Sequence, residues 1–151
     1  ACHDDRVATI LLLHGPNLNL LGDREPSVYG TATLDDHVTL TRSAAAEFGH
    51  ELDAFQSNHE GAMVDAIHAA RGRVAAIIIN PGAFTHYAWA IHDALAAFNG
   101  PIVEVHISNP ERREPWRHTS VVSPVATGSI TGLGMHGYEL AVAAVARKLT
   151  S

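Results

Sequence analysis

Residues 10–30 read Ile-Leu-Leu-Leu-His-Gly-Pro-Asn-Leu-Asn-Leu-Leu-Gly-Asp-Arg-Glu-Pro-Ser-Val-Tyr-Gly. The apolar run from Val7 to Leu13 has the length and bulk of a strand buried on both faces, as in a parallel sheet. It stops at His14-Gly15-Pro16-Asn17 and gives way to a loop too long for an ordinary strand-to-helix turn. Long loops in compact domains are usually functional or disordered. This one carries Arg24 and Tyr29 and closes on Gly30, which is not a linker composition. From about Leu20 to Gly30 it reads as a lid bearing a phenol and a cation.

The same logic runs along the chain. Thr33 is placed to cap a helix to about Phe48, with Asp35 and Asp36 where the helix dipole favours them and Gly49 to end it. Residues 50–56 alternate as a strand, with Leu52, Ala54 and Gln56 on one face. Ser57 or Asn58 opens a helix whose apolar stripe is Met63, Ile67 and Ala70. Val74 to Ile79 is a third strand, His86 to Phe98 a helix ended by Asn99-Gly100, and Pro101 to Ile107 a fourth strand. Val125 to Ile130 is a weaker fifth strand and Gly134 to Leu149 a C-terminal helix. Strands alternating with helices point to a parallel α/β sheet. The expected architecture is one domain over residues 1–151, a flavodoxin-like three-layer fold with five parallel strands in the order 2-1-3-4-5.

Such a sheet binds ligands beyond the carboxyl ends of its strands. Asn17 follows the first strand, Asn80 and His86 the third, and His106 and Ser108 end the fourth. Three separate segments therefore converge on one rim.

Composition narrows the chemistry. The net charge of −6 and the absence of a basic block argue against nucleic-acid binding. A hydrophobic content of 46% leans toward oligomerisation. Cys2 is the only cysteine, so neither a disulfide framework nor a cysteine metal site is expected. No recognised metal-ligand spacing occurs among the histidines. No secretory signal or membrane span is read, and a cytoplasmic protein is the default. The only lysine, Lys148, lies near the C-terminus, so a Schiff-base mechanism has no suitable amine. Gly132-Leu-Gly-Met-His-Gly137 matches a dinucleotide fingerprint by letter, but too near the C-terminus for the strand and acidic ribose ligand that must follow.

GPNLNLLGDREPSVYG, INPGAFTH (Ile79–His86), VEVHISNP (Val103–Pro110) and EPWRHTS (Glu114–Ser120) resemble, in order and across nearly the whole chain, the signatures of the type II 3-dehydroquinate dehydratases. The resemblance implies dehydration of 3-dehydroquinate to 3-dehydroshikimate by anti elimination through an enolate, in aromatic biosynthesis or quinate breakdown, with no metal or organic cofactor. It implies a homododecamer of four trimers.

It also implies residue roles. A free phenol, with a pKa of about 10, is a poor base at neutral pH, and a cation beside it favours the phenolate. Tyr29 matches the base that takes a proton from C2, and Arg24 an essential arginine beside it. Glu104 and His106, two apart on a strand, share a face, so the carboxylate can fix the imidazole's tautomer and favour its protonated form. His106 matches the acid that protonates the C1 hydroxyl, and Glu104 its support. Asn17 matches the holder of a water at the enolate oxygen. Asn80, His86, Ser108, the Ile107 backbone and Arg117 match substrate-binding positions. Arg113 matches an arginine close to the tyrosine, with its neighbour Arg112 the alternative. Asp93, seven residues after His86, reads as lying on the same helical face, and its match reaches a neighbouring subunit's site. Two departures stand out: His14, where many relatives carry asparagine, and Trp89, where a small residue is expected. Trp89 and Trp116 read as packing residues. The competing reading is a non-catalytic flavodoxin-like module that binds an anionic small molecule or a partner protein, and beyond it a nucleotide- or flavin-binding domain.

Overall fold

The opening apolar run is shared between two cores, because neighbouring side chains on a strand point to opposite faces. Leu11 and Leu13 enter one with Ile77 and Ile79. Ile10 and Leu12 enter the other with Ile78, Val103 and Val105. The computed structural model describes residues 6–151. Cys2 and the expectation of no N-terminal signal fall outside the described residues.

The strands are β1 (Thr9–His14), β2 (Glu51–Gln56), β3 (Ala76–Asn80), β4 (Ile102–His106) and β5 (Gly128–Thr131). All pairings are parallel, in the order β2-β1-β3-β4-β5, as the alternation of strands and helices predicts. The helices are α1 (Pro26–Tyr29), α2 (Leu34–Glu47), α3 (Glu60–Ala70), α4 (Trp89–Ala96) and α5 (His136–Leu149). Met63, Ile67 and Ala70 of α3 and Ile91 and Leu95 of α4 cover one face. Ala45 of α2 and Tyr138, Ala141, Val142 and Val145 of α5 cover the other. No helix among the described residues is long and apolar enough to cross a membrane.

Helix α2 starts where its chemistry says. Thr33 Oγ1 accepts the Asp36 N–H at 3.1 Å, and Asp36 Oδ2 accepts the Thr33 N–H at 2.9 Å, a reciprocal capping box.

Other expectations shift, each for a tertiary reason. Val7 precedes the strand and is 64% exposed, because pairing with β2 begins at Thr9. In β2 Leu52 is buried while Ala54 is exposed and Gln56 half-buried, since β2 lies at the sheet edge. Asn58 does not open α3. Its Oδ1 accepts the Asn17 N–H at 3.0 Å and the Gln56 amide at 3.1 Å, and the helix begins at Glu60. The helix expected from His86 is two pieces, a 3₁₀ turn over Gly82–His86 and α4. The fifth strand begins at Gly128 because Ser123–Val125 forms a 3₁₀ turn. Helix α5 starts at His136, after Gly134 turns with φ 59°.

Gly15 sits where β1 delivers the chain to the rim. Its N–H donates to the Asn80 carbonyl at 2.8 Å, and a Cβ there would fall 2.0 Å from the Pro81 carbonyl oxygen. Gly15→Ala is therefore expected to cost about 3 kcal/mol of stability, as overpacking against unyielding backbone does. A denaturant titration checks it, and an unchanged midpoint contradicts the close approach.

Candidate active site

Asn17, Arg24, Tyr29, Asn80, His86, His106, Ile107, Ser108, Arg113 and Arg117 line one cavity of about 140 Å³ at the carboxyl ends of β1, β3 and β4. Glu104 stands behind His106 rather than in the cavity, and Asp93 is exposed on α4, outside it.

Tyr29 ends the short helix α1, whose first residue is Pro26, a residue pre-set for a helix start. Its hydroxyl accepts from Arg113 Nη1 at 2.9 Å and from Arg24 Nη2 at 3.3 Å. The guanidinium carbons lie 5.4 and 4.4 Å from its ring centroid. Arg113 also donates to Ser108 Oγ at 3.2 Å, whereas Arg112 is exposed, so Arg113 is the arginine at the tyrosine. Two half-buried cations thus donate to one oxygen.

Across the cavity His106 Nε2 and Glu104 Oε2 are 2.6 Å apart. Glu104 is 1% exposed. Burial opposes its charge, but the hydrogen bond and charge of His106 and the hydroxyls of Ser123 and Thr85 outweigh it and hold the carboxyl down to about 2. With Nε2 committed to Glu104, the histidine can act on a ligand through Nδ1.

Asn17 adopts φ 66°, a left-handed conformation that asparagine tolerates, and Asn58 and Gln56 brace its loop. Gln56 Nε2 donates to the Gly15 carbonyl at 3.2 Å. His86 Nδ1 lies 2.7 Å from the Thr119 carbonyl. Burial lowers the His86 pKa; the Thr119 bond opposes this, and His106 and Arg117 reinforce it. Arg117 is paired with Glu114 at 2.6 Å and lies 4.0 Å over the Trp116 ring. Trp116, expected as a packing residue, is 55% exposed, and Trp89 is 62% exposed. His86 and Asp93 do not share a helical face, because Tyr87, with φ −154°, breaks the chain before α4.

Sequence reasoning missed a buried chain beneath the floor. Asn80 Nδ2 donates to the Tyr138 hydroxyl at 2.9 Å, and that hydroxyl lies 3.0 Å from His14 Nε2. Asn80 Oδ1 accepts the Gly82 N–H. His14 is pushed down to about 3 by burial, with His37 assisting, so it is neutral. Burial raises the Tyr138 phenol, so it stays protonated. A lone tyrosine in the apolar stripe of α5 gives no signal of this in the sequence. The glycine turn that mimics a dinucleotide fingerprint braces β4 instead: the Gly132 and Gly134 N–H groups donate to the His106 and Ile107 carbonyls, each at 3.1 Å. No group of three metal-binding side chains occurs among the described residues.

Sheet order and cavity together define a flavodoxin-type α/β protein whose site opposes a phenol under two guanidiniums to an imidazole backed by a buried carboxylate. Residues 8–146 match the family described as dehydroquinase class II. A catabolic 3-dehydroquinase of Aspergillus clavatus is 58% identical over 138 residues, 91% of this chain and 92% of that protein. A 3-dehydroquinate dehydratase of Roseiflexus castenholzii is 57% identical over 133 residues, 88% of this chain and 85% of that protein. The crystal structure of the type II dehydroquinase of Propionibacterium acnes superposes with a TM-score of 0.89 at 46% identity, covering 93% of this chain and 97% of that one. The chain belongs to the class II dehydroquinase family.

Proposed function

We propose that this chain dehydrates 3-dehydroquinate to 3-dehydroshikimate by an imine-free anti elimination. The observation that carries the reading is the Tyr29 oxygen, held by Arg24 and Arg113, in one cavity with the Glu104-backed His106. The substrate's C2 hydrogen is acidic because the neighbouring C3 ketone accepts the electron pair. Tyr29 as phenolate takes that proton, and the enolate forms. A water held near Asn17 stabilises the enolate oxygen. The enolate collapses, the C1–O bond breaks, and His106 protonates the departing hydroxyl so that it leaves as water. Asn80, His86, Ser108 and Arg117 bind substrate hydroxyls and carboxylate. The Ile107 carbonyl is taken by Gly134, so a backbone contact there falls to its N–H. The segment from Leu20 to Gly30 closes over substrate and excludes water.

The imine route fails on geometry, since Lys148, the only lysine, is exposed in the last turn of α5. Mixing protein with 3-dehydroquinate and following ultraviolet absorbance should show the product's conjugated enone, unaffected by borohydride pretreatment. No enone from folded protein would leave the anion-binding module as the reading.

The proposal includes assembly as four trimers, with Asp93 entering a neighbouring subunit's site. Its exposed position, away from its own chain's cavity, supports this. Asp93→Ala is expected to lower turnover about tenfold or more, the scale of losing one hydrogen bond to a charged group. The loss should act in trans. Oligomers mixed from Asp93→Ala and Tyr29→Phe chains should regain part of the activity that neither homo-oligomer has. Mixed oligomers no more active than the two parents would sink the shared site.

A further inference from the structure

Glu104 is surrounded by more hydrogen-bond donors than a support for His106 requires. Ser123 Oγ donates to Oε1 at 2.6 Å, and Thr85 Oγ1 donates to Oε2. Ser120 Oγ lies 3.0 Å from both oxygens. It accepts the Val122 N–H at 3.1 Å and the Ser123 N–H at 2.9 Å and lies 2.7 Å from Thr85 Oγ1, so its one proton serves either Thr85 or the carboxylate. With His106 Nε2 at 2.6 Å, the buried carboxylate has three donors, and Ser120 supports them directly or through Thr85.

This count decides where the shared proton resides. Protonated Glu104 would need an acceptor for its O–H, and the Ser123 and Thr85 hydroxyls already point their protons at it, one at each oxygen. The exchangeable position is His106 Nε2. Donors at both oxygens favour the ionised carboxylate, so the proton stays on Nε2. Neutral His106 is then the Nε2–H tautomer, and its Nδ1 is the nitrogen that gains and loses a proton. None of the three hydroxyl side chains lines the substrate cavity; they border an adjoining cavity, which meets it at His86, His106, Pro110 and Arg117.

We propose that Ser123, Thr85 and Ser120 are positioning residues: their hydroxyls hold Glu104 as an acceptor-only carboxylate, fix the proton of neutral His106 on Nε2, and so assign Nδ1 as the atom that delivers the proton to the leaving hydroxyl. The kinetic half of this rests on the dehydratase reading; the tautomer half does not.

The arrangement explains the strap that follows Arg117. The Val121 N–H donates to the Thr85 carbonyl at 2.7 Å and His86 Nδ1 meets the Thr119 carbonyl, tying the strap to the 3₁₀ turn that follows β3. Two backbone N–H groups then close on Ser120 and turn Ser123 toward Glu104. The 3₁₀ turn over Ser123–Val125, which ends where the fifth strand is expected to begin, is this clamp.

The test uses Ser123→Ala, which removes an exposed residue's hydroxyl without opening the core, together with Thr85→Val and Ser123→Thr. Nitrogen-15 histidine spectra of the substrate-free protein, recorded above the titration of His106, read the tautomer directly. The wild-type protein should show a protonated Nε2 and a bare Nδ1. Ser123→Ala and Thr85→Val should move both signals toward the mixed-tautomer average. In kinetics each should lower kcat about tenfold, the scale of one hydrogen bond to a charged group, with KM within twofold. The pH-dependent limb of kcat assigned to His106 should shift, and Ser123→Thr should restore both readouts. Folded Ser123→Ala with wild-type spectra and wild-type kcat overturns the proposal. So does a rise in KM at unchanged kcat, which would make the hydroxyls binding groups. If the spectra shift while even wild-type protein forms no enone, the clamp stands and the dehydratase reading falls.

Discussion

Tyr29→Phe is expected to lower turnover by about 10²–10⁴-fold, the range a positioned general base contributes, while the protein stays folded. The substitution deletes one oxygen. The ring keeps its place between Arg24 and Arg113, whose guanidinium carbons lie 4.4 and 5.4 Å from its centroid. What is lost is the acceptor at 2.9 and 3.3 Å from the two guanidiniums. No neighbouring group replaces it, because His106 is engaged by Glu104 and Lys148 lies on α5 away from the cavity. Substrate affinity should change far less than kcat, since the cations that attract an acid remain. Steady-state kinetics with circular dichroism on the same sample decide the matter. A folded variant with full activity would remove Tyr29 from the mechanism.

His106→Ala is expected to have an effect of the same order, about 10²–10⁴-fold in kcat, and it should also affect stability. A loss confined to KM would contradict the acid role. The imidazole is the hydrogen-bonding partner of a carboxylate that is 1% exposed. Removing one partner of a buried pair typically costs about 3–5 kcal/mol. The cost here should sit at the lower end, because the His106 side chain is 12% exposed and three hydroxyls stay on Glu104. The pH dependence has a definite sign. Glu104 titrates at about 2 in the folded protein against 4.5 when free, so the folded state binds fewer protons. Its contribution to stability is complete above pH 4.5 and fades as the pH falls toward 2. In His106→Ala the folded value should rise, and the acid-unfolding curve should flatten over that window. Urea midpoints between pH 2 and 6 measure this. An unchanged curve would mean that His106 contributes nothing to holding the carboxylate ionised.

These effects depend on groups that the chain order scatters. Arg113 reaches Tyr29 from 84 residues away, and Ser123 reaches Glu104 from 19. The site as a whole is legible in part because a parallel sheet sends every strand's carboxyl end to one rim. Asn80 announces itself by standing immediately past an apolar run, Asn17 by lying in the turn after another, and His106 by its place at the end of the fourth strand. Arg112 and Arg113 were indistinguishable as neighbours in the sequence, and only the turn over Pro110–Arg112 sets which one faces the tyrosine.

The sequence by itself determined the sheet, its order and the capped helix at Thr33, and it put Arg24 and Tyr29 on one loop. These rest on apolar periodicity, the alternation of strands with helices and local caps, which act over short stretches of chain. The tertiary structure alone decided the rest. It broke the expected helix at Tyr87, moving Asp93 off the face of His86. It used Asn58 to brace Asn17 rather than to cap a helix. It put a 3₁₀ turn and hydroxyl clamp at Ser123–Val125, so that the fifth strand starts at Gly128 rather than Val125, and it made Tyr138 the link between Asn80 and His14. Each is a polar side chain or backbone group whose partner lies across the fold. A buried polar group must find a partner, but which one it finds depends on packing, and no local pattern in the chain encodes that.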